Sequence, residues 1–98
     1  MVKSLIVIPT YNERETVQMM ADAILSLNQG FTILFVDDNS PDGTGELIKV
    51  LTKKHPEQIH LLARTGKLGL GTAYIEGFRW ALSREYEFIF EMDCDFSH

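Results

Sequence analysis

Four short apolar runs, the first three each followed by turn residues and then by a stretch with helical spacing, constrain this fold more than any other feature. Leu5-Ile6-Val7-Ile8 stops at Pro9, as a strand buried on both faces would. Asn12 then fits a helix cap, with Glu15 three residues later completing a capping-box-like pattern. Val17, Met20, Ala21, Ile24 and Leu25 follow at helical spacing and make one apolar face, and Gly30 fits as the stop. The second cycle runs from Phe31 to Val36 and ends in Asp37-Asp38, after which Asn39-Ser40-Pro41-Asp42-Gly43-Thr44 is dense turn chemistry. A helix with Leu47, Ile48 and Leu51 comes next; Lys53, Lys54 and His55 occupy its last turn and Pro56 closes it.

A third strand fits Ile59-His60-Leu61-Leu62. The glycine-rich connection Arg64-Thr65-Gly66-Lys67-Leu68-Gly69-Leu70-Gly71 leads to a helix from about Thr72 to Ser83, with Ala73, Gly77, Trp80 and Ala81 near one side. The last strand, Phe88 to Met92, ends in Asp93-Cys94-Asp95. This alternation predicts βαβ units with right-handed crossovers: an α/β three-layer sandwich on a parallel sheet, with about four strands and three helices, in the order 3-2-1-4. Ligands in such sheets bind outside the carboxyl ends of the strands, where three of these strands end in polar or acidic groups.

Composition narrows the function. Hydrophobic residues make up 45% of the 98, enough for a core. A net charge of −5 with no Lys/Arg stripe argues against a nucleic-acid footprint. The single Cys94 excludes an internal disulfide and a cysteine-rich zinc site, and fits a reducing compartment. No apolar run approaches the ~18 residues of a transmembrane helix. Met1-Val2-Lys3-Ser4-Leu5 leads into the first strand without a signal-peptide cleavage pattern, so a cytoplasmic chain is expected.

Asp93 and Asp95, two apart on an extended segment, point to the same side while Cys94 points away. Two adjacent carboxylates need a compensating cation, and a hard divalent ion such as Mg²⁺ or Mn²⁺ bridging to a diphosphate suits them. By itself the pair reads equally as a solvated acidic turn. Asp37 and Asp38 divide two roles: one accepts from a ribose hydroxyl or a base nitrogen, and the other organises the turn with Ser40 and Asp42. Pro9-Thr10-Tyr11-Asn12-Glu13 lacks the glycines of a dinucleotide fingerprint. Pro9 and Tyr11 offer instead a stacking surface for a nucleobase, or simple loop packing, and Glu13 an acceptor. Arg64 and Lys67 among their glycines fit a mobile basic loop near a phosphate, or a permissive connection, but not a P-loop. His55, His60 and His98 show no metal-ligand spacing, and no Ser/His/Asp constellation is visible.

Read together, Pro9-Thr10-Tyr11-Asn12-Glu13, Val36 to Thr44, Leu68-Gly69-Leu70-Gly71-Thr72-Ala73-Tyr74 and Met92 to His98 give the chain its family likeness. It resembles the dolichyl- and polyprenyl-phosphate mannosyltransferases, inverting enzymes of the GT-A fold, over essentially its whole length. Ser40-Pro41-Asp42-Gly43-Thr44 and Leu68 to Tyr74 are the stretches most particular to that branch. Cys94 departs from the family's usual Ala.

The resemblance implies transfer of mannose from GDP-mannose to a polyprenyl or dolichyl phosphate with inversion. The acceptor oxygen is already anionic, so no strong base is required. The departing diphosphate calls for a Lewis acid, Mg²⁺ or Mn²⁺. Pro9, Tyr11, Glu13, Val36 and Asp38 would contact the nucleoside, and Asp93 and the backbone at Cys94 the donor. Asp93 and Asp95 would hold the metal, with Ser97 adding to its shell. No catalytic residue is assigned within residues 1–98.

The family's complete domain is longer than this chain. Residues 1–98 are therefore expected to form the N-terminal nucleotide-sugar-binding part, inactive alone. The lipid acceptor would meet downstream elements at the cytoplasmic face of a membrane. The last strand, normally covered by those elements, should favour self-association. The alternatives are a glucose or aminosugar donor, or a binding-only module without turnover. A receiver-like acidic domain fits poorly, because the first strand ends in Pro-Thr-Tyr.

Overall fold

The computed structural model describes residues 3–65 and 70–93, of Leu70 the backbone alone. Among them alternate β1 (Ser4–Thr10), α1 (Arg14–Ser26), β2 (Phe31–Asp37), α2 (Thr44–Lys54), β3 (Ile59–Ala63), α3 (Leu70–Leu82) and β4 (Phe88–Glu91). The strands form one sheet in the order β3-β2-β1-β4, every neighbouring pair parallel. The α/β sandwich and the order 3-2-1-4 expected from the sequence are both present.

The apolar runs are continuous because both faces of the sheet are covered. Ile6 and Ile8 of β1, and Ile33 and Phe35 of β2, pack with Val17, Met20, Ile24, Ile48 and Leu51 from α1 and α2. Leu5, Val7, Leu34 and Val36 point the other way and pack with Ala73 and Ala81 of α3. The chain steps from β1 outward to β3 and then returns past β1 to β4. With crossovers of one hand, that reversal moves α3 to the face opposite α1 and α2. In open α/β sheets such a reversal marks the ligand-binding edge, here the carboxyl end of β1. The contact between α3 and β1 is close: a Cβ at Gly77 would lie 2.5 Å from Val7 Cγ1. Glycine alone lets the helix approach that strand so nearly.

Two helix ends differ from the sequence expectation. Asn12 does not cap α1; it adopts φ +54, and the helix begins after Glu13 without a side-chain cap. The amides at this end are satisfied from the neighbouring loop instead. Asn12 N donates to Ser40 Oγ (3.0 Å), Glu13 N to Thr44 Oγ1 (3.0 Å) and Arg14 N to Asp42 Oδ2 (3.3 Å). A local Asn12/Glu15 box is therefore superfluous. At the other end α1 stops at Ser26, ahead of Gly30, because Asn28 turns the chain at φ +52.

β4 is an edge strand with Phe88 and Phe90 exposed, as is Met92 just past it, and Phe90 sets its ring edge-on to Phe31 at 6.3 Å between centroids. No helix among the described residues is long and apolar enough to cross a membrane.

Candidate functional site

Parallel strands deliver Thr10, Asp37 and Asp38 to one end of the sheet, followed by Asp93 just past β4. The two adjacent acids after β2 do divide their work. Asp37 closes the turn: its carboxylate accepts from Thr10 Oγ1 (2.8 Å), Ser40 Oγ (2.6 Å) and Ser40 N (3.1 Å). Gly45 gives it room, since a Cβ there would lie 3.1 Å from Asp37 Oδ2. Asp42 serves α2, accepting from Thr44 N at 3.0 Å and from the Thr44 hydroxyl. That hydroxyl bond is the main cause holding the Asp42 carboxyl below its ordinary range.

Asp38 is buried and meets Arg64 in a two-point contact, Nε to Oδ1 at 2.6 Å and Nη2 to Oδ2 at 2.9 Å. Arg64 Nη1 reaches α3, donating to Thr72 Oγ1 (2.9 Å) and Glu76 Oε2 (3.2 Å). The hydrogen bond to Asp38 is the first cause pushing the guanidinium further up from its already high ordinary value. This corrects the reading of Arg64 as part of a mobile basic loop: it is buried and fixed by three side chains. Sequence reasoning missed the pair, because only the strand register brings the two residues together. The β2–β3 register sets Asp37 against Ala63, so the residues that follow, Asp38 and Arg64, come together. Lys67, Gly66 and Gly69 lie outside the described residues.

Tyr11 and Glu13 are half-buried in the first loop, where Glu13 Oε1 accepts from Tyr11 N at 3.1 Å. Pro9 is buried, so it does not offer the stacking surface expected of it, and Val36 is wholly enclosed beneath α3. Val36 thus forms the floor under the site and presents no surface to a nucleoside, contrary to the contact expected of it.

Past β4, Asp93 is exposed and its Oδ1 accepts from Tyr74 Oη at 3.1 Å. Burial first, then this bond, pushes the Tyr74 phenol up to about 12, so it remains a donor. Cys94, Asp95 and Ser97 lie outside the described residues. Among the described residues no group of three or more His, Cys, Asp or Glu could hold a metal. An exposed carboxylate held by a neutral donor does suit a hard, oxygen-seeking divalent cation. A concavity of about 670 Å³ lies at the other end of the sheet between Lys3, His60, Trp80, Arg84 and Tyr86, away from these acids.

Known proteins share both sequence and fold with this chain. It is 46% identical over 96 residues to the polyprenol monophosphomannose synthase of Mycolicibacterium smegmatis, covering 98% of the chain and 36% of that protein. It is 46% identical over 94 residues to the undecaprenyl-phosphate mannosyltransferase of Micrococcus luteus, covering 96% of the chain and 38% of that protein. The chain thus spans well under half the length of these curated relatives. A mannosyltransferase from Pyrobaculum calidifontis, solved in complex with GDP-Man and Mn²⁺, superposes with a TM-score of 0.80 at 24% identity. That match covers 94% of this chain and 27% of the other, and it shows a shared GT-A architecture. Residues 5–98 match the family model for glycosyl transferase family 2, and the chain belongs to that family.

Proposed function

We propose that residues 1–98 form the nucleotide-sugar-binding part of an enzyme that transfers mannose from GDP-mannose to a polyprenyl phosphate with inversion. The observation that carries this reading is the placement of Asp38 and Asp93 on either side of β1 at the carboxyl edge of the sheet, each oriented by another side chain. The names of the two bacterial relatives support the lipid phosphate and the mannose. The GDP-Man and Mn²⁺ bound by the archaeal structural neighbour support the donor and the divalent ion.

Each residue then has a defined task. Tyr11 and Glu13 line the first wall, Pro9 and Val36 support it from below, and Asp38, fixed by Arg64, reads the nucleoside. Asp93, Asp95 and Ser97 would hold Mg²⁺ or Mn²⁺, and the Cys94 backbone would contact the donor; such an ion would supply Lewis-acid stabilisation of the departing diphosphate. The acceptor phosphate is an anion at working pH and needs no base from this half. Its lipid tail places the reaction at a membrane surface, on the cytoplasmic side. On this reading the role of residues 1–98 is to bind the donor.

Calorimetric titration with GDP tests the proposal. GDP should bind, and Mn²⁺ should strengthen binding. Asp95→Ala should remove the metal dependence, and Asp38→Asn should weaken binding with and without metal. A lost charged contact is worth about 1.5–3 kcal/mol, roughly tenfold to hundredfold in affinity. The melting temperature of Asp38→Asn, measured alongside, separates loss of contact from loss of fold. Equal, metal-independent affinity in the wild type and both variants would overturn the reading.

A further inference from the structure

We propose that Glu76, on α3 and outside the donor site, is a positioning residue that sets nucleoside affinity by holding Arg64 against Asp38. The consequence for nucleotide rests on the function proposed above; the positioning itself does not. Arg64 carries a planar fork whose donors have fixed mutual angles. Nε and Nη2 engage the two oxygens of Asp38, while Nη1 engages Thr72 Oγ1 and Glu76 Oε2. A rigid plane held at one edge by α3 has little freedom at the other, so Glu76 fixes the angle at which Asp38 is presented.

Three features make α3 a suitable mount. Thr72 and Glu76 are one helical turn apart and hold the same nitrogen from one side of the helix. Tyr74, about 200° around the helix from both, reaches instead to Asp93. The close approach of Gly77 to Val7 seats the helix against β1 between these two contacts. One helix therefore braces the nucleoside-side acid and the metal-side acid from opposite flanks. The arm to Asp38 depends on Glu76 because it supplies the carboxylate that meets the buried cation from that side, at 3.2 Å.

The test compares wild type, Glu76→Ala and Glu76→Gln in the 98-residue chain. In nucleotide-free protein, the Arg64 Nε–Hε resonance reports solvent exchange of the proton shared with Asp38. Exchange should accelerate about threefold or more in Glu76→Ala and be largely restored in Glu76→Gln, whose amide oxygen still accepts from Nη1. GDP affinity without metal should fall about threefold to tenfold in Glu76→Ala and recover in the same Gln variant, with melting temperatures recorded for all three. Unchanged Arg64 exchange in a folded Glu76→Ala would overturn the positioning role, whatever GDP does. Accelerated exchange with no GDP binding even in the wild type would leave the positioning standing and overturn the proposed function instead. Accelerated exchange with undiminished GDP affinity would overturn the link between them.

Discussion

The amide of Glu13 donates to the hydroxyl of Thr44, 31 residues further along the chain, at 3.0 Å. Thr44 is fully buried, and its hydroxyl donates in turn to Asp42 Oδ1 in the turn ahead of α2. One oxygen thus ties the first βα loop to the second. Thr44→Val keeps the shape and removes both bonds, leaving the Glu13 amide without its acceptor. We expect a loss of about 1–3 kcal/mol, read as a lower urea midpoint with an unchanged slope. An unchanged midpoint would show that water replaces the hydroxyl without cost.

Gly77→Ala asks how firmly α3 is held on β1. Its Cβ would come within 2.5 Å of Val7 Cγ1, closer than packed carbons tolerate, and Val7 is fully buried. Overpacking of this kind costs about 1–3 kcal/mol, against a gain of up to ~1 kcal/mol in helix propensity. The net effect should be destabilising, and Val7→Ala in the same chain should relieve part of it. Strictly additive effects in the double-mutant cycle would contradict the contact.

His60 supplies a pH test. Burial, and then the Arg84 charge, hold its imidazole below the ordinary 6.5. The unfolded chain therefore takes up the proton first as pH falls. This contribution to stability is fully present above the ordinary value and is lost as pH falls through the lowered one. The melting temperature should decline as the solution is acidified from neutrality, and His60→Gln should flatten that decline. Asp42, also held low, adds a second loss only further into acid, below the ordinary carboxylate value of 3.8. A wild-type melting temperature that is flat or rises from pH 7 to pH 5 would refute the assignment.

The edge strand carries the fourth test. Phe88 and Phe90 are 53% and 48% exposed on β4, whose outer backbone has no partner strand among the described residues. An apolar, unprotected edge favours pairing with another chain. Sedimentation should show weight growing with concentration, and a Phe90→Lys variant should sediment as a monomer. A wild type that stays monomeric at high concentration would remove this expectation.

The sheet was legible because its strands are buried on both faces, so that Leu5 to Ile8 and Ile33 to Val36 read as unbroken apolar runs. The acidic positions at the strand ends were legible because turn chemistry and charge coincide there. Contacts between distant segments were harder to read. The α1 amides take acceptors from Ser40, Asp42 and Thr44, and no local pattern around Asn12 encodes that. Arg64 reads as a loop cation because glycines follow it at positions 66, 69 and 71, whereas its partners lie 26, 8 and 12 residues away. A ligand contact at Val36 follows only from the family resemblance, whereas strand alternation turns the residue into the α3 core.

The Asp38–Arg64 pair bears on folding fidelity as much as on binding. Sliding β3 one residue along β2 would turn the fully buried Ile59 out of the core beneath α1 and α2 and bring His60 towards it, so packing already favours one alignment. The same slide would enclose a carboxylate and a guanidinium out of reach of each other, a penalty of several kcal/mol. Two opposite charges at the ends of neighbouring strands thereby act as a proofreading clasp that admits one alignment of the sheet edge. Asp38→Asn should loosen that selection, and doubled amide resonances confined to residues 59–63 would reveal it. A single set of sharp resonances there would assign the register to packing alone.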